Sequence, residues 1–139
     1  MTVSVGAVVE WNAYGHHRAV VLAVAPSGAL IIACTSVARD LPSVAVSPRT
    51  LESRSLGWSD DDTRTSHFYP SGLQVVAAGE VAPVRVRLPS GSLGSARRAA
   101  PSLVLRLRGT IEAWVREGVV TDTDVIARLA PPAPSTGSS

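Results

Sequence analysis

Two short runs hold the residues best suited to chemistry. Gly15-His16-His17-Arg18 offers two imidazoles and a guanidinium, and Cys34-Thr35-Ser36 offers a thiol and two hydroxyls. Each run borders an apolar segment of strand composition, Ala19–Leu22 and Ala29–Ala33. The turn signal Pro26-Ser27-Gly28 between them predicts an antiparallel hairpin. In such a pair the start of one strand lies beside the end of its partner, so Arg18 should meet Thr35 and Ser36 at one rim of the sheet. A planar cation that grips oxygens in pairs, two hydroxyls and neighbouring imidazoles would suit a phosphate. His16 or His17 would supply proton transfer near neutral pH, which arginine does badly.

Other chemistries fit less well. The chain has no Walker loop, no dinucleotide-binding glycine pattern after a strand, no nucleophile elbow and no HExxH. His16 and His17 are adjacent, so a strand would send them to opposite faces, which is poor geometry for a shared metal. Asp60-Asp61-Asp62 lacks the alternating ligands of an EF-hand and reads as a solvated loop tip. Cys34, the single cysteine, reads as a small buried hydrophobe at a strand end. One cysteine permits no internal disulfide and fits a reducing, cytoplasmic compartment. These readings predict no metal and no cofactor.

The elements that must position these groups follow from hydropathy and spacing. At 139 residues, with 45% apolar and 17% charged, the chain has room for one globular core. Its longest apolar runs, 19–26 and 29–34, are too short to span a bilayer. Met1-Thr2-Val3-Ser4 lacks the basic start and following apolar stretch of a secretory signal. The segments 6–11, 18–24, 29–35, 43–47, 73–77 and 81–88 read as strands, with Pro83 placing the last at an edge or a strand start. Near-continuous apolar strands imply burial on both faces or closure into a barrel. The period then changes. Leu103, Leu107, Ile111 and Trp114 share one helical face, with Pro101 in its first turn and Gly118 just past its end. A short second helix is expected over 123–129, and the tail from 131 to 139 is of low complexity. The expected core includes Val8, Val20, Leu22, Leu30, Ile32, Val75, Leu107 and Trp114.

All 13 basic residues other than histidine are arginines, and the net charge is only +2. Six of them, Arg85, Arg87, Arg97, Arg98, Arg106 and Arg108, fall in a stretch without acidic residues. Arg85 and Arg87 are two apart, so a strand would project them from one face. Together the six predict a basic surface for RNA phosphates or an acidic partner.

The order of these segments resembles the MazF/PemK family of toxin endoribonucleases. Gly6-Ala7-Val8-Val9 echoes the family's opening Gly-x-Val-Val strand, and Arg18 leads an apolar strand as the family's arginine does. The next strand ends in Thr35-Ser36, like the family's Thr-Ser or Thr-Thr. Looser matches are Pro42–Val46, Ser71–Val76, and Gly91–Gly94 followed by the amphipathic helix; the likeness covers about residues 6–118. The resemblance implies a mainly β fold: a small SH3-like antiparallel β-barrel with a C-terminal amphipathic helix and a short second helix. It also implies a homodimer, an antitoxin partner and metal-independent cleavage of single-stranded RNA by the ribose 2′-hydroxyl. The catalytic arginine and threonine correspond to Arg18 and Thr35, with His16, His17, Ser36, Arg85 and Arg87 as substrate-binding candidates. Two departures stand out. Ala19 follows Arg18 where the family has proline, and Ala78-Gly79-Glu80 replaces an Asp-Gln pair. The alternative is a catalytically inactive barrel that serves as a structural or interaction subunit of a larger assembly.

Overall fold

A computed structural model describes residues 3–12 and 17–129. His16 and the tail from 131 to 139 lie outside the described residues. The first strands are β1 (Val8–Trp11), β2 (His17–Ala25), β3 (Gly28–Thr35) and β4 (Val44–Val46). A short helix α1 (Leu51–Ser55) precedes the long strand β5 (Ser66–Val76), which is followed by β6 (Val81–Pro83), β7 (Arg85–Arg87) and β8 (Leu93–Ala96). Helices α2 (Pro101–Arg116) and α3 (Thr123–Leu129) end the described chain. Class and order are thus mainly β with C-terminal helices, as the sequence predicts.

Six strands pair in the order β4-β5-β3-β2-β1-β6, every ladder antiparallel, and β7 and β8 form a separate ribbon. The expected strand over 81–88 is therefore two strands. At the break, the Val84 N–H donates to the Val8 carbonyl, while the Val84 carbonyl accepts from Arg97. The chain thereby leaves the edge of β1 and joins the ribbon.

Both faces of the sheet are buried, which explains the unbroken apolar runs. Residues 19–22 of β2 and 29–34 of β3 are all buried. One face carries Val8, Val20, Leu22, Leu30 and Ile32 and packs against Leu103, Leu107, Ile111 and Trp114 of α2. Burying each such side chain is worth about 1.5–3 kcal/mol. The other face carries a smaller cluster, Val9, Ala19, Val21, Ile31 and Ala33 among it. Of the expected core residues only Val75 stays partly exposed, packed at the cluster's margin.

Helix α2 starts with Pro101, whose missing N–H would have no intrahelical partner in any case. It stops at Gly118, where φ is +75° and Val119 N–H returns to the Trp114 carbonyl at 2.8 Å. Two elements lie in what reads from sequence as polar loop. Thr50 caps α1 by accepting from the Ser53 N–H at 3.1 Å, and β5 starts seven residues before the expected Leu73.

Candidate functional site

The site begins at the end of α1. Leu56 is fully buried and closes the helix, and Gly57 follows at φ +91°, a conformation that side chains other than glycine rarely adopt. This reversal leaves the Leu56 carbonyl outside the helical ladder, and Arg18 Nη1 donates to it at 2.6 Å. The chain then carries Trp58 over the same guanidinium, with the ring centre 4.2 Å from Arg18 Cζ. Glu10 lies opposite Arg18 in the β1–β2 register and approaches Nη2 at 3.9 Å. A carbonyl, an indole and a carboxylate thus fix one guanidinium.

Arg18 opens into a cleft of about 250 Å³, bordered also by His17, Thr35, Ser36, Trp58 and Arg64. The antiparallel logic of the hairpin therefore brings Arg18, His17, Thr35 and Ser36 to one place. Alternation adds detail. Arg18 and Cys34 lie on the helix-covered face with Val20 and Ile32, whereas His17 and Thr35 lie on the face of Ala19 and Ala33. Thr35 reaches the cleft from the rim, where β3 ends. Its Oγ1 accepts from the Val37 N–H at 3.2 Å, which leaves its own proton available to a ligand oxygen.

The electrostatics are unbalanced. Burial pushes the Arg18 guanidinium below the usual arginine value; Glu10 opposes that shift and the nearby positive charge of Arg97 adds to it. Arg18 nevertheless remains a cation at any physiological pH. The Nε atoms of Arg18 and Arg97 and Nε1 of Trp58 are buried without a hydrogen-bond partner among the described residues. Unsatisfied buried donors of this kind are rare in folded proteins. Beneath them Cys34 has its thiol pushed up to about 12 by burial, with Arg18 pulling the other way. At the opposite wall, hydrogen bonds from Arg64 hold the Asp62 carboxyl below the usual carboxylate range.

Five of the six arginines between 85 and 108 donate to oxygens of the protein itself. Arg85 donates to the Gly94 carbonyl within the β7–β8 ribbon, and neither it nor the exposed Arg87 borders the cleft. Arg98 holds Ser4 and Val5, Arg106 bridges Glu52 and the Ala45 carbonyl, and Arg108 donates to the Leu22 carbonyl. Only Arg97 reaches the Arg18 neighbourhood, where it donates to the Arg54 carbonyl at 3.1 Å. Most of these guanidiniums serve as clamps on backbone oxygens.

Sequence reasoning missed Leu56, Gly57, Trp58, Arg64 and Ser66. The available signal was Gly57 as a helix-ending glycine, but nothing local says which cation its helix end will receive. Among the described residues no group of three or more His, Cys, Asp or Glu could hold a metal ion, and no helix is long and apolar enough to cross a membrane. No family model, curated protein or solved structure was found to match this chain.

Proposed function

We propose that the Arg18 cleft binds the backbone of single-stranded RNA and cleaves it by attack of a ribose 2′-hydroxyl on its adjacent phosphate. The 2′-oxygen forms a bond to phosphorus, the bond to the 5′-oxygen breaks, and a 2′,3′-cyclic phosphate remains. The observation that carries this reading is the Arg18 guanidinium, fixed by the Leu56 carbonyl and the Trp58 ring beside two hydroxyls and an imidazole. A preoriented cation stabilises the charge that gathers on the phosphorane and needs no rearrangement to do so. Thr35 donates to a non-bridging oxygen, Ser36 assists, and His17 is the imidazole at the cleft that moves a proton. The resemblance to the MazF/PemK toxins supplies the setting: an SH3-like barrel, a cytoplasmic homodimer and a cognate antitoxin.

One observation favours the second reading, a non-catalytic subunit of an assembly. Arg18 and Thr35 approach the cleft from opposite faces of the sheet, and Arg18 already has protein partners. Incubation of the pure protein with single-stranded RNA, with and without EDTA, separates the two. Cleavage that resists EDTA, yields cyclic phosphate ends and falls roughly 100-fold or more in Arg18→Ala supports the nuclease. Absence of cleavage at every protein concentration leaves the subunit, and cleavage indifferent to Arg18→Ala removes this cleft from the reaction.

A further inference from the structure

A second cleft of about 250 Å³ lies against the first and shares His17, Cys34 and Thr35 with it. Trp11, His17 and Thr35 in its lining stand at one level on three neighbouring strands, and His67 continues that row on β5 beyond the lining. Trp11 on β1 pairs with His17 on β2, and Thr35 on β3 pairs with His67 on β5. The Ala19–Ala33 pairing, continued by two residues, sets His17 opposite Thr35. All four therefore lie on the face opposite Arg18. The Trp11 and His17 ring centres are 6.5 Å apart, and His67 stacks on Tyr69 at 5.8 Å with 19° between the planes.

The far wall of this cleft is rigid. Tyr69 is buried, and its hydroxyl accepts from the Arg39 N–H at 2.6 Å and donates to the Val37 carbonyl at 3.0 Å. The segment that follows Thr35 is thereby tied to β5. It brings the Arg39 guanidinium over the Tyr69 ring, with 5.9 Å between Arg39 Cζ and the ring centre.

We propose that this row is a stacking platform for a nucleobase of the strand whose phosphate sits at Arg18. The inference rests on the RNA reading of the Arg18 cleft and names a subsite for it. Aromatic rings on a sheet surface are the usual seat of unstacked bases, because every base offers a π-face. Continuity carries the argument. His17 and Thr35 border both clefts, so a nucleotide with its phosphate on one side of them has its base on the other. Stacking on Trp11 and His17 is tolerant of base identity, and Arg39 and Ser71 supply donors at the edge.

The test uses the whole chain labelled with fluorotryptophan, its signals assigned through Trp11→Phe and Trp58→Phe. The probes are uridine, adenosine, their 5′-monophosphates and inorganic phosphate. Nucleosides are expected to shift the Trp11 signal, phosphate the Trp58 signal, and the monophosphates both. Trp11→Leu should weaken the monophosphates about fivefold or more, Trp11→Phe should restore most of that affinity, and phosphate binding should be unchanged in both. A Trp11 signal unmoved by nucleosides and monophosphates, alongside RNA cleavage that depends on Arg18, would overturn the platform and keep the nuclease. A Trp11 signal that moves with nucleosides, in a protein that neither binds phosphate nor cleaves RNA, would keep the platform and remove the nuclease.

Discussion

The helix-covered face of the sheet changes character along a single strand. Val20 and Leu22 of β2 are fully buried beneath α2, in company with Leu30 and Ile32. One pleat toward the start of β2, the same face carries Arg18, with Cys34 and the buried Ser66 beside it. The cover changes too, from the apolar stripe of α2 to the chain that leaves α1 through Gly57 and Trp58. In the centre, contact between hydrocarbon groups satisfies every side chain. At the end, three buried donors lack partners among the described residues, and each such group costs about 1–3 kcal/mol. A sequence selected for the fold alone would have continued the apolar pattern. Local disagreement of this kind, surrounded by consistent packing, is where function is expected to sit.

Three substitutions or conditions would break or sharpen that contrast. The largest effect belongs to the centre. Leu107→Ala should lower the unfolding free energy by about 2–5 kcal/mol in urea denaturation, because α2 is held down over that point. A loss below about 1 kcal/mol would mean that the centre is no better packed than the rim.

Gly57→Ala comes next, with an expected loss of about 1–3 kcal/mol from its backbone conformation. A Cβ there would also run into Nη1 of Arg18 and lie 3.1 Å from Nε of Arg97, so the cation must move. Under the nuclease proposal, RNA cleavage should fall with it. Gly118→Ala is the control: its φ is +75° but the space around it is open, so stability alone should change.

The smallest effect at neutral pH is that of Cys34. Its folded value, about 12, lies above its ordinary value of 9.0. The folded chain therefore keeps a proton that the unfolded chain loses between those values. The corresponding stability is intact below about pH 9 and declines as pH rises through the window, by up to about 1.4 kcal/mol per unit. Urea denaturation of wild type and Cys34→Ala from pH 8 to 11 should show a steeper alkaline decline in wild type. Parallel curves would mean that the thiol titrates in contact with water.

Much of this architecture is legible in the sequence, for physical reasons that differ by element. The spacing of Leu103, Leu107, Ile111 and Trp114 identifies α2 because all four are buried on one side. The hairpin of β2 and β3 is legible because its residues are apolar on both faces and its turn is marked by Pro26 and Gly28. The start of β5 is not, since Ser66 and His67 resemble the polar stretch before them and Pro70 interrupts the pattern. Strand β8 is rich in small residues and is fixed by pairing with β7. At the site, Arg18 and Thr35 come together through strand pairing, which is a local rule. The Leu56 carbonyl reaches Arg18 across 38 residues, and no local rule reports that. The partners of the arginines from 85 to 108 are hidden from the sequence for a related reason. Neighbours in sequence lie on a ribbon, a loop and a helix, and five of the six donate to different oxygens of the chain.

One of those arginines has a structural effect beyond its charge. The pairing of β2 with β3 slips between Val21 and Ala23, so Leu22 is an extra residue without a counterpart across the ladder. Its carbonyl is the one that Arg108 of α2 grips. The irregularity in the sheet and the guanidinium on the helix therefore fit like a key and its slot. Apolar contacts hold α2 through shape and burial, whereas this bond has a direction and a single partner. This bond exists at one setting. Straightening the strand by deleting a residue at the bulge would leave the hydrophobic stripe intact but take away the mark that aligns the helix with the sheet.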